Sequence, residues 1–164
     1  KYNYKYIKKK IGKLEMKDLQ NKKLSSDKVA TVASIIAKDK KIRKLVHAFQ
    51  VECAYNPPKK YDGSCLDGRD CGSVVVKDAD VKFYITASLK VRAIRRYKEL
   101  KAKNKKITYK EVLKSIRKRD KSDKNRQISP LKKTKDMVLL NSSSESISSC
   151  FKKIKRIIDR KINN

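Results

Sequence analysis

The chain has 164 residues, a length that suits one domain, and 38% of them are hydrophobic, enough for a modest core. No apolar run approaches the roughly 18 residues of a membrane-spanning helix, so we expect no membrane span. The net charge of +29 attracts polyanions in general, but the lysines are spread along the whole chain, which favours codon bias over a dedicated nucleic-acid partner.

The first part of the chain is predicted to be mainly helical. Residues 1–23 are basic and aromatic with weak periodicity, and either a helix end or a strand-like connector fits them. Across 26–55 apolar residues recur at steps of three and four, which predicts a helix that Ser25 or Ser26 can cap. The prolines of YNPPKKYDG (55–63) end that helix.

From residue 64 onward, predicted strands alternate with predicted helices. The strands are 64–66, 81–87 and 136–141, and the helices are 88–104, 108–121 and 145–162. Ser88 can cap the first of these helices, and Thr108 with Glu111 forms a capping box for the second. The polar segment 121–130 is either a loop or a short helix. This order predicts an α/β fold with a mainly parallel sheet and helices on its faces.

The cysteines and the single histidine do not suggest a metal centre. None of the four cysteines forms a C-x-x-C pair, so we expect reduced thiols, which are typical of the cytoplasm. His47 lies in a helical run without a nucleophile motif, and we interpret it as partly exposed packing.

Two polar clusters are candidates for a ligand site. The first, in DGRDCGS (67–73), follows the carboxyl end of the predicted strand 64–66, where ligands bind in parallel sheets. The second is RKRDKSDKNR (117–126). Arginine grips phosphate through its planar fork, and carboxylates beside it accept hydrogen bonds from a sugar or a base. Solvated salt-bridge networks are the alternative interpretation. The residues concerned are Asp67, Arg69, Asp70, Arg117, Arg119, Asp120, Asp123 and Arg126.

Four stretches, in this order, resemble the bacterial cytidylate kinases. They are LSSDKVATVASIIAKDKKIR, LDGRDCGSVVVKDADVKFYITAS, RAIRRYKEL and RKRDKSDKNRQISPLKKTKDMVLLNSSSESI. The resemblance runs from residue 24 to the end of the chain. It implies a three-layer fold of the nucleoside-monophosphate-kinase type, a P-loop NTPase-like parallel sheet with helices on both faces. It also implies transfer of the γ-phosphoryl group of ATP to CMP or dCMP, with Mg²⁺ bridging the phosphates.

The resemblance also implies roles for individual residues. Ser34, Arg43 and Asp70 are expected to contact cytosine, and Arg69 the nucleotide phosphate. In the second cluster Arg119 and Asp123 are expected to hold the sugar and Arg126 the phosphate. Arg119 and Arg126 are the candidate catalytic residues, because they would hold charge around the transferring group. Arg95 matches the arginine that lies against the adenine of ATP. No metal-ligating residue is expected in this chain.

The chain departs from the family pattern in several places. The phosphate loop G-x-x-G-x-G-K is absent, since KKKIGK (8–13) lacks its glycine spacing. We expect that loop and its strand, about 30 residues of a βαβ unit, to precede Lys1. The S-G-x-x-Y-R motif is missing too. Ser122 stands where the family usually carries an arginine, and Ser73 where it carries a threonine.

The expected organisation follows from the resemblance. Residues 1–62 are assigned to the remainder of the NMP-binding region, 63–113 and 131–164 to the α/β core, and 114–130 to a lid. We expect a cytoplasmic monomer whose partners are CMP or dCMP and ATP. One alternative is a truncated, inactive remnant that only binds nucleotide. The other is a basic nucleic-acid-binding protein, which would bind RNA in a salt-sensitive manner without preferring CMP.

Overall fold

A computed structural model describes residues 3–15, 18, 21, 24, 26–37, 39–103 and 106–163, without the side chains at 27, 28, 30 and 34. This part of the chain is helix-rich with a small parallel sheet. Its helices are α1 (Tyr4–Ile11), α2 (Asp27–Ile36), α3 (Lys40–Tyr55), α4 (Leu89–Lys103), α5 (Tyr109–Asn125) and α6 (Ile147–Ile162), and its strands are β1 (Phe83–Thr86) and β2 (Val138–Asn141). None of these helices is long and apolar enough to cross a membrane.

The helix expected over 26–55 is two helices. The side chain of Asp39 accepts hydrogen bonds from the backbone N–H groups of Lys41 at 2.9 Å and Ile42 at 3.0 Å, and so caps a new helix, α3. The expectation of one continuous helix is wrong because a cap of this kind leaves the apolar periodicity on both sides intact. Ser26 caps α2 as expected, accepting from the N–H of Val29 at 3.3 Å; Ser25 lies outside the described residues.

The strand expected at 64–66 is not formed. Ser64 instead donates from Oγ to the carbonyl of Ala54 at 2.7 Å, near the end of α3, and Cys65 is exposed. A strand needs a neighbour for its backbone groups, and no described segment pairs with this one. The argument that placed DGRDCGS at the carboxyl end of a strand is therefore wrong. That loop leads instead into a π-helix, Cys71–Val75.

The strands predicted at 81–87 and 136–141 are confirmed with shorter bounds. β1 and β2 pair in parallel, with Phe83 opposite Val138 and Thr86 opposite Asn141. Among the described residues the sheet has these two strands. The larger sheet of a three-layer fold is thus not seen in this part of the chain.

Helices α4 and α5 form the main packed pair and start as predicted. Ser88 accepts from the N–H of Val91 at 3.3 Å. Thr108 and Glu111 form the reciprocal capping box, with bonds of 3.3 and 2.8 Å. Helix α5 continues four residues beyond the predicted end, so the polar segment 121–130 is helical as far as Asn125.

The buried hydrophobic side chains of the described residues are few. Close packing also explains the glycine at position 68 of the DGRDCGS loop, because a Cβ there would lie 2.5 Å from the Sγ of Cys71. The apolar stripe of α6 confirms a helix, but Ile147 is 92% exposed and so is not buried against the described residues. The core residues are Ile42, Val75, Ala87, Ala93, Val112 and Met137.

Candidate functional site

Asp70 joins the DGRDCGS loop to helix α3. Its backbone carbonyl accepts from the N–H groups of Val74 at 2.9 Å and Val75 at 3.3 Å, which fixes the residue at the start of the π-helix. Its carboxylate, 12% exposed, accepts a hydrogen bond from Nη2 of Arg43. Nη1 of Arg43 donates to the carbonyl of Ala37 at 3.4 Å. A half-buried ion pair therefore connects two segments that are 27 residues apart.

Three arginines lie close to the carboxylate of Asp123, near the end of helix α5. Its side chain is buried, and Oδ2 accepts from Nε of Arg69 at 2.9 Å. Nε of Arg119 lies 3.8 Å from the same oxygen, and Nη1 of Arg126 lies 3.9 Å from Oδ1. Arg119 and Asp123 do share a helix face, as their spacing predicts, but the stronger contact of Asp123 is with Arg69.

Arg126 connects the two acidic residues. Its Nη2 lies 3.8 Å from Oδ1 of Asp70, is buried, and has no hydrogen-bond partner among the described residues. Its Nε donates to the carbonyl of Ser129, whose positive φ of 50° turns the chain sharply after α5. Burial lowers the pKa of the Arg126 guanidinium, and the neighbouring Asp70 opposes that shift. An unpaired N–H on a buried cation is well suited to an anionic ligand.

We call these six residues the arginine–aspartate cluster: Arg43, Arg69, Asp70, Arg119, Asp123 and Arg126. Four guanidinium groups against two carboxylates leave the cluster with two net positive charges. The structure therefore brings together six of the residues that the sequence predicted for the site.

A cavity of about 380 Å³ lies beside the cluster. Its lining includes four cluster members and the apolar side chains of Ala37, Val46, Val74 and Ile128. This volume suits a small organic ligand. The cavity can thus hold a flat apolar ring against these apolar side chains while an anionic group meets the arginines.

The other two predicted site residues are Ser34 and Arg95. Ser34 belongs to α2, but its side chain lies outside the described part of the structure. Arg95 donates to Oγ and the carbonyl of Ser142 at 3.1 and 2.6 Å, and to the carbonyl of Glu145 at 3.1 Å. It therefore lies at the loop after β2, apart from the cluster.

Sequence reasoning missed the polar side chains of α3 that line the same cavity. Lys44, His47 and Gln50 all do so. His47 and Gln50 follow Arg43 at four and seven residues, a spacing that places all three on one helix face and could have identified them. His47, interpreted as partly exposed packing, is exposed and faces the cavity.

The cysteines do not form part of a metal site in the described chain. All four are free, and the described residues contain no group of three or more potential metal ligands. Burial raises the pKa of the Cys71 thiol, and the nearby carboxylates of Asp70 and Asp67 raise it further. A raised thiol pKa lowers the fraction of thiolate, the form that reacts as a nucleophile.

Comparison with known proteins identifies relatives along nearly the whole chain. Residues 1–160 match the family model described as Cytidylate kinase. A cytidylate kinase of Clostridium botulinum (strain Okra / Type B1) is 47% identical over 115 residues, which are 70% of this chain and 52% of that protein. One from Bartonella bacilliformis is 39% identical over 147 residues, 90% of this chain and 66% of that protein. The chain thus spans between about half and two thirds of the length of these relatives.

Proposed function

The chain belongs to the cytidylate kinase family, and we propose that it forms the CMP-binding and lid parts of an enzyme that transfers the γ-phosphoryl group of ATP to CMP or dCMP. The observation that carries the proposal is the arginine–aspartate cluster beside the 380 Å³ cavity. In this arrangement one set of cluster residues is available to a base and another set to a phosphate.

Arg43 and Asp70, which line the cavity, form the proposed base site. A carboxylate only accepts hydrogen bonds, so Asp70 favours the exocyclic amine of cytosine over the carbonyl that uracil presents at that position. Arg43 only donates, and suits the ring nitrogen and carbonyl of cytosine. The apolar side chains of Val46, Val74 and Ile128 give the ring its packing surface. Ser34 is included on the family resemblance alone.

The remaining cluster residues, two of which line the same cavity, form the proposed phosphate and sugar site. The buried, unpaired Nη2 of Arg126 is the donor best placed to gain a partner, and Arg69 lies on the opposite side of Asp123. A nucleoside monophosphate carries close to two negative charges, which match the two net positive charges of the cluster. Arg119 and Asp123 are proposed to hold the sugar.

Phosphoryl transfer depends on positioning and charge neutralisation more than on covalent chemistry. Arg119 and Arg126 are proposed to neutralise charge around the transferring group, and residues 114–130 to close over ATP as a lid that excludes water. The fork of Arg95 is held by Ser142 and Glu145, which leaves its planar face for the adenine.

The described residues do not themselves fit a Mg²⁺ ion. They contain no group of three or more potential ligands, and both cluster carboxylates are engaged by arginines. When bound, Mg²⁺ would supply neutralisation of phosphate charge. We also propose that the enzyme acts as a cytoplasmic monomer, with residues 1–62 in the NMP-binding region and 63–113 with 131–164 in the core.

The proposal is tested by titrating the chain with CMP, UMP and a short RNA at about 50 and 200 mM salt. We expect CMP to bind more tightly than UMP at both salt concentrations. Tight RNA binding that falls steeply with salt, without a preference for CMP, would establish the nucleic-acid-binding alternative. A preference for CMP combined with no kinase activity in the full-length protein would establish the inactive remnant.

A further inference from the structure

A second arginine–aspartate contact lies outside the cluster and was not predicted from the sequence. Arg92 of α4 donates from Nη1 and Nη2 to the two carboxylate oxygens of Asp120 at 2.9 and 2.7 Å. Its Nε donates to the carbonyl of Ala87, just beyond β1, at 2.9 Å. The hydrogen bonds that Arg92 donates to Asp120 raise the pKa of the Arg92 guanidinium. Three elements, the end of β1, α4 and α5, therefore meet at one planar side chain.

Asp120 occupies a sensitive position on α5. It follows Arg119 directly and precedes Asp123 by three residues, so Asp120 and Asp123 lie about 60° apart around the helix axis. A two-bond contact at residue 120 resists both rotation and sliding of this helix turn, because a fork bound to two oxygens tolerates little change in angle. The buried carboxylate of Asp123, which Arg69 holds directly, projects from this same part of the helix.

Other contacts also anchor α5, among them the bond from Arg69 to Asp123 described above. Tyr97 and Tyr109 meet edge to face, with ring centroids 6.1 Å apart, at the start of the helix. Val112, one turn later, is buried at 3% exposure. After the helix the backbone N–H of Leu131 donates to the carbonyl of Asp123 at 2.8 Å and closes the loop that carries Arg126. Among the described contacts, Arg92 thus ties the site-bearing end of α5 to the end of the sheet.

We propose that Arg92 is a positioning residue for the phosphate end of the site, acting through Asp120 to fix the orientation of Arg119, Asp123 and Arg126. This inference rests on the proposed function, since that proposal assigns the phosphate of CMP to Arg126 and its sugar to Arg119 and Asp123. Arg92 itself does not touch the nucleotide. It fixes the rotation, about the axis of α5, of the helix turn whose residues touch the nucleotide.

Positioning makes a prediction that neither simple electrostatics nor general stabilisation makes. Asp120→Asn removes a negative charge near the phosphate site, so electrostatics alone predicts tighter CMP binding, whereas lost positioning predicts weaker binding. Arg92→Lys keeps the charge and loses only the fork. A role in general stability would weaken CMP and free cytosine to the same extent, because both ligands need the base site, whereas lost positioning weakens only the ligand that carries the sugar and phosphate.

The experiment measures CMP and cytosine affinities by NMR titration of the chain carrying Arg92→Lys, Asp120→Asn or both. We expect each single variant to weaken CMP about tenfold and leave cytosine within about twofold, and the double variant to be no weaker than either single one. Arg156→Lys, an exposed substitution on α6, is the matched control and leaves both affinities unchanged.

The outcomes separate the inference from the proposed function. Unchanged or tighter CMP binding in Asp120→Asn overturns the positioning role while the CMP site stands. Equal losses for CMP and cytosine also overturn it, in favour of a structural role. A wild-type chain that binds neither ligand at millimolar concentration overturns the proposed CMP site, and the positioning role with it.

Discussion

Replacing Asp70 by asparagine tests the base contact most directly. The substitution keeps the size of a side chain that is 12% exposed and paired with Arg43, but it removes the charge. A buried hydrogen bond to a charged group contributes about 1.5–3 kcal/mol. Since about 1.4 kcal/mol corresponds to a tenfold change in affinity, CMP binding should weaken roughly ten- to 150-fold.

The change in selectivity is the sharper part of this prediction. An amide can also donate, so Asp70→Asn offers the uracil carbonyl a partner that the carboxylate denies it, and the preference for CMP over UMP should fall. The cluster also gains one net positive charge, so inorganic phosphate should bind at least as tightly as before. Isothermal titration with CMP, UMP and inorganic phosphate measures all three effects.

A matched control removes the effect of net charge. Asp80 is exposed and lies outside the cluster, so Asp80→Asn should leave all three affinities unchanged. The base assignment is refuted if Asp70→Asn leaves CMP affinity unchanged, or if CMP and UMP weaken to the same extent. Circular dichroism of each variant shows whether its helices are retained.

Three further predictions concern stability and reactivity. Asp123→Asn should lower the free energy of unfolding in urea by about 1–3 kcal/mol, because it leaves buried guanidinium groups with less compensation; no change would contradict the central place of Asp123. The hydrogen bond from Lys82 lowers the pKa of Asp136 to about 2, below its usual 3.8. Its stabilising contribution is therefore full above pH 4 and lost as the pH falls towards 2, so the melting temperatures of wild type and Asp136→Asn should converge only at the acidic end. Cys71, whose pKa is raised, should react with iodoacetamide more slowly at pH 8 than the exposed Cys53, as peptide mass spectrometry measures; equal rates would contradict its burial.

Local signals predicted the helices well. Helix starts are marked by capping bonds between residues three apart, so they can be predicted from the local sequence. Examples are Ser26, Ser88 and the Thr108–Glu111 capping box. The cap at Asp39 was missed because an aspartate within a periodic run looks like a solvated helix position. The strand at 64–66 failed for the opposite reason, since a strand depends on a partner that no local pattern reveals.

The site was predictable where chemistry is concentrated in one type of side chain. Arginines beside carboxylates identified the cluster in the sequence, and the family motifs suggested a role for each of its members. Contacts between distant segments were not visible in the sequence: the pairing of Arg69 with Asp123 joins residues 54 apart, and that of Arg92 with Asp120 joins residues 28 apart. The separation of Arg92 and Asp120 along the chain matches no helix or strand repeat that would have indicated their contact.

The two carboxylates of the cluster have a consequence for how binding responds to ionic strength. Before any nucleotide arrives, the guanidinium groups already hold anions that belong to the protein, and so they gather fewer dissolved chloride or phosphate ions than four bare arginines would. A nucleotide that binds here displaces little of such an ionic atmosphere, and its affinity should decline only gently as salt is added. A strongly cationic chain can in this way keep a selective small-molecule site that its overall charge does not govern.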